Sequence, residues 1–185
     1  MNHYIDIHIL PNTEFSDSLL MNEVFSVLHK ALHETGRGEV AVSFPKVDKS
    51  LGSLLRLHGN QTSLQRLMAL SWIERFSDYV TFSEIHPVPA GACYRVVSRA
   101  QCKSSSARLL RRSVRKGWMS EQEALAKARE EGSDKRLSLP FLKVKSITTG
   151  HAFLLFVKHG PFVDSPVIGS FNDYGLSVAG TIPWF

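Results

Sequence analysis

The segment "HYIDIHIL" (residues 3–10) decides the fold, because every later element of the first half has to pack against it. Ile5, Ile7 and Ile9 alternate with other side chains, and this period of two predicts a half-buried strand. The following segment, "SDSLLMNEVFSVLHKALHETG" (16–36), changes to the helical period and ends on Gly36, a common helix stop. Its predicted inward face consists of Leu20, Val24, Phe25, Leu28, Ala31 and Leu32.

The next segments complete a recognisable order of elements. Short strands are predicted at "VAVSF" (40–44), "LLRLH" (54–58) and "DYVTF" (78–82), with a second helix at 63–76 before the last of them. The order βαββαβ is the split-βαβ, ferredoxin-like pattern. The proline- and glycine-containing connector "EIHPVPAGAC" (84–93) then predicts a domain boundary, which gives domains 1–88 and 89–185.

The second half alternates strands and helices, so the chain as a whole is predicted to be α+β. A strand at "YRVVSRAQCK" (94–103) leads to an arginine-rich helix that three serines introduce and that ends at Lys116 and Gly117. Ser120 and Glu123 form a capping-box pattern for a further helix over 120–132. The strands "FLKVKSI" and "AFLLFVKH" follow, joined by a turn at 148–150, and the tail is aromatic and rich in glycine.

Positive charge is concentrated in this second half. The chain has 22 basic and 17 acidic residues, yet 95–116 holds eight basic residues and no acidic one. Within it Arg108, Arg111, Arg112 and Arg115 share one helical face, where like charges cost about 0.2–0.5 kcal/mol per pair. A local basic stripe of this kind favours a polyanion site. A solvated charged face is the alternative, and on these grounds DNA and RNA both remain open.

The strand before the helix carries complementary chemistry. Its period of two predicts one face formed by Arg95, Val97, Arg99, Gln101 and Lys103. Arginine presents two parallel donors to guanine, and glutamine presents a donor and an acceptor to adenine. Arg99 and Gln101, side by side, are therefore predicted to read two consecutive purines, while the helix arginines grip phosphates.

Other features exclude some classes of protein. No apolar run approaches the ~20 residues that a membrane span needs, and no export signal is visible. The two cysteines, Cys93 and Cys102, have neither metal-binding nor redox spacing. We therefore expect a cytoplasmic protein with reduced thiols and no membrane partner.

Several short segments together resemble the type I-F CRISPR repeat endoribonuclease family. They are "SRAQCKS" before an arginine helix, "VSFP" and "HKAL" upstream, and "YGLS" downstream, within a similarity from "HYIDI" to the final "PWF". The resemblance implies a ferredoxin-like N-terminal domain and a divergent C-terminal RNA-binding domain. It further implies an enzyme that binds the hairpin of a CRISPR repeat and cuts beside the stem, without metal or other cofactor. The expected products are a 2′,3′-cyclic phosphate and a 5′-hydroxyl.

The resemblance also assigns roles to residues. It makes His29 the catalytic histidine, Ser146 the contact to the ribose at the cut, and Tyr174 the residue that positions the histidine. Thr148 replaces a second active-site serine, and Phe153 matches the ring that stacks under the terminal base pair. The resemblance matches Arg99 and Gln101 to base-reading positions, and it matches basic positions of the groove-binding helix at Arg108, Arg111, Arg112, Arg115 and Lys116. Lys103, from the predicted basic face of the strand, is the remaining expected RNA-binding residue.

The expected partners are the RNA stem-loop and the other subunits of a type I-F effector complex, with the chain a monomer when alone. A non-cleaving RNA-hairpin module of such a complex, defensive or transposon-associated, is the first alternative. A regulator that binds duplex DNA is the second.

Taken singly, the site residues have plainer interpretations. His29 borders an apolar helix face, where a histidine is usually a core or boundary residue. A zinc site with His33 is disfavoured, because Lys30 occupies the position where metalloproteases need glutamate. A serine such as Ser146 near a strand end commonly hydrogen-bonds its own backbone, and Tyr174 and Phe153 are by default core aromatics.

Overall fold

The computed structural model describes residues 1–35, 38–101, 106–130, 137–147 and 149–185, without the side chains of 106–109 and 128–130. The chain divides into two compact units, one formed by Met1–Ala100 with Leu139–Phe185 and the other by Gln101–Ser138. Of the helices described, none has the length and apolar character that crossing a bilayer requires. The predicted division into domains 1–88 and 89–185 stays a prediction.

The first unit opens with a β-sheet built around its first strand. The elements are β1 (His3–Ile9), α1 (Asp17–Thr35), β2 (Ala41–Ser43), β3 (Leu54–Gly59), α2 (Gln61–Met68), β4 (Val80–Phe82) and β5 (His86–Pro87). The strand order is β2-β3-β1-β4, with β5 also paired to β1. All these pairs are antiparallel. The element order βαββαβ predicted for the first half is therefore observed.

Helix α1 packs its predicted apolar face into the core. All six residues predicted to face inward are buried, as are Met21 and His29. The isoleucines of β1 are at most 5% exposed, so the predicted alternation of this strand is confirmed. Burial of a complete aliphatic side chain stabilises a fold by roughly 1.5–3 kcal/mol, so these two elements anchor the core.

The second predicted helix is shorter than the sequence pattern indicates. Helix α2 begins after Asn60, whose side chain accepts a hydrogen bond from Ser63 N, and it ends at Met68 instead of continuing to Phe76. Ser71 adopts a positive φ of 51°, which breaks the helix. A short 3₁₀ turn at Glu74–Phe76 follows. Trp72 and Ile73, which directly follow the break, are buried in the core.

A second antiparallel sheet completes the first unit. It contains β6 (Cys93–Ala100), β7 (Phe141–Lys145), β8 (Ala152–Val163) and β9 (Thr181–Trp184) in the order β7-β8-β6-β9. The amide of Lys143 in β7 donates to the Asn22 side chain of α1 over 2.9 Å, which ties this sheet to the helix. Strand β9 was not predicted, because its pairing with β6 is a long-range contact.

The predicted strand 94–103 is wrong at its C-terminal end. Strand β6 ends at Ala100, which pairs with Phe156 of β8. Among the residues that the structure describes, the part of β8 from Ala152 to Leu155 pairs only with β7. Gln101 therefore follows the strand, so the predicted strand spacing between Arg99 and Gln101 is not observed. Lys103 lies outside the described residues. Val97, expected on the same face as the basic residues, is 1% exposed and belongs to the core.

The second unit contains two helices, α3 (Ser106–Arg115) and α4 (Glu121–Glu130). Helix α3 ends at Arg115 and is followed by Gly117, whose φ of 70° suits glycine, and Trp118 N donates to Ser113 O over 3.0 Å. The predicted capping box of α4 is confirmed: Ser120 N donates to Glu123 Oε2 over 2.8 Å, and Glu123 N donates to Ser120 Oγ over 3.2 Å. The hydrogen bonds that Ser120 N and Ser120 Oγ donate to Glu123 Oε2 lower the pKa of the Glu123 carboxyl.

Candidate active site

The histidine expected to be catalytic is buried at the edge of the core. His29 is 4% exposed, and its Nδ1 lies 2.8 Å from the backbone carbonyl oxygen of Asp173. A carbonyl oxygen only accepts hydrogen bonds, so Nδ1 carries a proton and donates it. In the neutral ring the basic nitrogen is then Nε2. The main chain at Asp173 thus fixes which side of the imidazole can exchange a proton.

The ring of Tyr174 packs against one face of the same imidazole. The rings of His29 and Tyr174 are stacked, with centroids 4.2 Å apart and planes inclined by 17°. Burial raises the pKa of the Tyr174 phenol, the Asp173 carboxylate raises it further and the Arg99 charge opposes the rise. The phenol is therefore neutral at neutral pH, and Tyr174 contacts His29 as an uncharged ring.

A tight turn presents both partners of His29. Asn172 Oδ1 accepts hydrogen bonds from Tyr174 N (2.9 Å) and Leu176 N (3.1 Å), and Gly175 N donates to Asn172 O. Gly175 has a φ of 67°, and a Cβ there would lie 2.8 Å from a methyl group of Val42. Glycine therefore lets the turn lie directly against β2, where Val42 N donates to Gly175 O over 3.0 Å.

The aromatic contacts continue toward one of the expected base-reading residues. Phe153 packs edge-on against Tyr174, with centroids 6.2 Å apart and an interplanar angle of 87°. The Arg99 guanidinium carbon lies 5.0 Å from the centroid of the Phe153 ring. The structure thus connects Arg99, Phe153, Tyr174 and His29 through one cation–π, one edge-on and one stacked contact in turn. These residues are far apart in sequence. Phe153 and Tyr174 are partly buried and pack against the hydrophobic core.

Ser146, expected at the ribose, lies at the start of the turn between β7 and β8. Its amide donates to His151 O over 2.9 Å, and Gly150 N donates to Ser146 O over 2.9 Å. Its Oγ accepts a hydrogen bond from Thr149 N over 3.1 Å, which is the local backbone bond that the plainer interpretation anticipates. The hydroxyl hydrogen is still available as a donor, so this bond and a ribose contact are compatible. Thr148 lies outside the described residues.

A cleft of about 390 Å³ opens beside Ser146. From α1 it is lined by Ser26, Lys30, His33 and Glu34, and from the end of β7 and its turn by Lys145, Ser146, Ile147 and Gly150. His33 Nδ1 lies 3.3 Å from the carboxylate Oδ2 of Asp173. Asp173 therefore contacts two histidines one helical turn apart, through its carbonyl and its carboxylate. Sequence reasoning missed Asp173, and its place directly before Tyr174 is the one signal that points to it.

The basic residues described at the expected RNA-binding positions of the second unit lie on and directly after α3. Arg111, Arg112 and Arg115 are exposed, whereas Leu110 is 9% exposed. Among the described residues none of these three guanidinium groups is paired with a carboxylate, so their charge faces solvent. The Lys116 ammonium lies 4.5 Å from the centroid of the exposed Trp118 ring. Gln101 is exposed. Lys103 and the Arg108 side chain lie outside the described residues.

The fold and these groups define an α+β protein with a histidine held between a main-chain carbonyl and a tyrosine ring, and with an exposed row of arginines. A model of the family described as CRISPR-associated protein (Cas_Csy4) matches residues 4–185. The chain belongs to this family.

Two relatives carry the same printed name, CRISPR-associated endonuclease Cas6/Csy4. The protein of Escherichia coli (strain UTI89 / UPEC) is 45% identical over 185 residues, which cover the whole of both chains. The protein of Pseudomonas aeruginosa (strain UCBPP-PA14) is 41% identical over 188 residues, again over the whole of both. The resemblance inferred from short sequence segments is thereby confirmed.

Proposed function

We propose that this chain is a metal-independent endoribonuclease that binds the hairpin of a CRISPR repeat in a precursor transcript and cuts beside the stem. The observation that carries the proposal is His29, held by the Asp173 carbonyl and stacked on Tyr174. Family membership and the relatives' names support endonuclease activity. The strand order β2-β3-β1-β4 supports a ferredoxin-like N-terminal domain, followed by a C-terminal RNA-binding domain from residue 89 onward.

RNA supplies its own nucleophile for this reaction. The 2′-oxygen attacks the adjacent phosphorus, the bond from phosphorus to the 5′-oxygen breaks, and the products are a 2′,3′-cyclic phosphate and a 5′-hydroxyl. The 2′-hydroxyl loses one proton and the leaving oxygen gains one, so no redox partner is required. In our proposal His29 exchanges a proton through Nε2, and general acid–base catalysis by such a group is typically worth about 10²–10⁴ in rate.

The neighbouring residues orient the reacting groups. Tyr174 and the Asp173 carbonyl restrict the imidazole, and Ser146 donates its hydroxyl hydrogen to the ribose so that the 2′-oxygen is in line. Phe153 stacks under the last base pair of the stem, and Arg99, cation–π bonded to that ring, reads the adjacent base. Thr148, as the replacement for a second serine, completes the ribose contacts.

The arginine helix supplies affinity for the hairpin. Its exposed cations, Arg111, Arg112 and Arg115, together with Lys116, bind phosphates along the major groove near a helix end, where the A-form groove is accessible. In our proposal Arg108 and Lys103 contribute further phosphate contacts, and Gln101 reads a second base pair. Binding of the polyanion relieves the repulsion between like charges in α3. We further propose that the protein stays on its cytoplasmic product as a subunit of a type I-F effector complex.

Cleavage of a labelled repeat hairpin in EDTA tests the proposal. We expect cleavage to persist in EDTA, and His29→Ala to lower the rate by about 10²–10⁴. Because His29 is distant in sequence from the arginine helix, hairpin affinity should be retained in this variant. His86→Ala, at an exposed histidine of β5, is the control, and we expect it to cleave at the wild-type rate.

The opposite outcomes assign the alternatives. Intact RNA under tight binding indicates a non-cleaving hairpin module, and loss of cleavage in EDTA refutes metal independence. Preference for duplex DNA over an RNA hairpin in direct competition indicates the DNA regulator.

A further inference from the structure

The cleft beside Ser146 extends past the residues that the proposed reaction uses. We propose that it binds the nucleotide on the 3′ side of the scissile phosphate, which leaves with the new 5′-hydroxyl. This inference rests on the proposed function, because it assumes that Ser146 contacts the ribose on the 5′ side of the cut.

The charge of the cleft suits a phosphodiester. Lys30 from α1 and Lys145 from the end of β7 contribute two ammonium groups from separate elements, and Glu34 is the one carboxylate among the described lining residues. His33 also lines it, with its Nδ1 directed to the Asp173 carboxylate. Lysines from two separate elements place positive charge on both walls of the cleft, an arrangement that favours a bound anion.

The size and surface of the cleft suit one nucleotide. Its volume of about 390 Å³ is near the lower end of the range typical of small-ligand sites, roughly 300–1,000 Å³. Ile147 is 45% exposed and offers an apolar surface to the face of a base. The hydroxyls of Ser26 and Ser146 offer hydrogen bonds to ribose or phosphate oxygens.

The cleft lies where the RNA strand is expected to continue after the scissile phosphate. Phe153, proposed to stack under the stem, contacts Tyr174 and through it the His29 ring. Ser146 follows β7 and borders the cleft, whose other wall is α1. On α1 His29 directly precedes Lys30, so the buried face that carries the imidazole adjoins the face that lines the cleft. An RNA strand that leaves the stem and passes Ser146 therefore enters the cleft with its next nucleotide.

Binding the leaving nucleotide has a kinetic consequence. An in-line displacement needs the leaving 5′-oxygen opposite the attacking 2′-oxygen, and a held leaving group meets this requirement more often than a free one. The cleft should therefore raise the cleavage rate without raising affinity for the cleaved hairpin, which lacks this nucleotide.

Single-turnover cleavage of two hairpins tests the inference. One carries two ordinary nucleotides after the scissile phosphate, and the other carries a single abasic ribose there. We expect wild-type protein to cleave the first about tenfold faster, because only it fills the cleft. In Lys30→Gln/Lys145→Gln the two rates should agree within about twofold, with unchanged affinity for the cleaved hairpin. Lys49→Gln, at an exposed lysine that is not among the described lining residues of the cleft, is the matched control and should keep the wild-type ratio.

Each outcome has one meaning. Equal wild-type rates on both hairpins, or a double variant that slows both equally, would overturn the subsite and leave the endoribonuclease proposal standing. If the wild type binds both hairpins and cuts neither, the proposed function fails and the inference fails with it.

Discussion

The imidazole of His29 lies parallel to the phenol ring of Tyr174, with 4.2 Å between their centroids, while its Nδ1 donates to the main chain of the residue before that tyrosine. One tight turn therefore controls both the tilt of the histidine and the position of its protons. Neither contact needs the Tyr174 hydroxyl. The stacking contact involves only the aromatic ring of Tyr174, so the contribution of the ring can be measured separately from that of the hydroxyl.

Replacement of Tyr174 tests this separation. Tyr174→Phe keeps the ring, so we expect cleavage within about threefold of wild type, whereas Tyr174→Leu removes the stack and should slow cleavage about 10- to 100-fold through misplacement of the imidazole. Single-turnover rates on a repeat hairpin provide the measurement. Hairpin affinity, measured in parallel, should change little in either variant. Equal loss in both variants would show that the hydroxyl, and not the ring, is what matters.

Asn172 organises the turn that presents Asp173 and Tyr174. Asn172→Ala removes the acceptor of two amide hydrogen bonds, each worth about 0.5–1.5 kcal/mol net, so we expect unfolding free energy to fall by about 1–3 kcal/mol. Cleavage should fall as well, because both contacts to His29 come from this turn. Urea unfolding and single-turnover cleavage measure the two effects. Asn172→Asp keeps an oxygen acceptor and is the control; a loss as large as that of alanine would contradict the proposed role of the Oδ1 bonds.

Arg112 is expected to contact phosphate. Arg112→Ala should weaken hairpin binding and reduce the slope of log affinity against log salt by about one unit, because one fewer counterion is released. Titration at several salt concentrations gives the slope. Arg75→Ala, at an exposed arginine of the first unit, should leave it unchanged. A wild-type slope in Arg112→Ala would remove this residue from the phosphate contacts.

One buried histidine, His58, and one half-buried histidine, His159, predict loss of stability in acid. Burial, aided by the charge of Arg56, lowers the pKa of His58 from 6.5 to about 3, and burial with the charge of Arg95 lowers that of His159 to about 4. Both are neutral in the native state, whereas the unfolded chain takes up protons as the pH falls below 6.5. Stability is therefore complete above pH 6.5 and declines toward pH 4, with a slope of about 1.4 kcal/mol per pH unit for each histidine.

Urea unfolding between pH 7 and pH 5 measures that slope. His58→Gln should flatten it by about the contribution of one proton, and His159→Gln should do the same independently. His86→Gln, at an exposed histidine of β5, is the control and should leave the slope unchanged. If neither His58→Gln nor His159→Gln alters the slope, the acid sensitivity arises from other groups.

Sequence reasoning succeeded where a structure depends on neighbours along the chain. The alternation of β1, the inward face of α1 and the Ser120–Glu123 capping box were all predicted, and each is set by contacts within one or two turns or by a simple period. It was wrong about the length of α2 and the end of β6. No local sequence pattern predicts that Ser71 takes a positive φ or that the pairing of β6 with β8 ends at Ala100.

The candidate site shows the same division. The amino-acid sequence by itself determined which side chains are available: an imidazole on an amphipathic helix, a tyrosine beside a glycine, and a run of arginines without acids. Only the tertiary structure decided that the carbonyl of Asp173, 144 residues away, accepts from His29, and that Lys30 and Lys145 line one cleft. The physical reason is that every residue carries a carbonyl, so its use as a partner leaves no trace in composition or spacing. Long-range packing alone selects it.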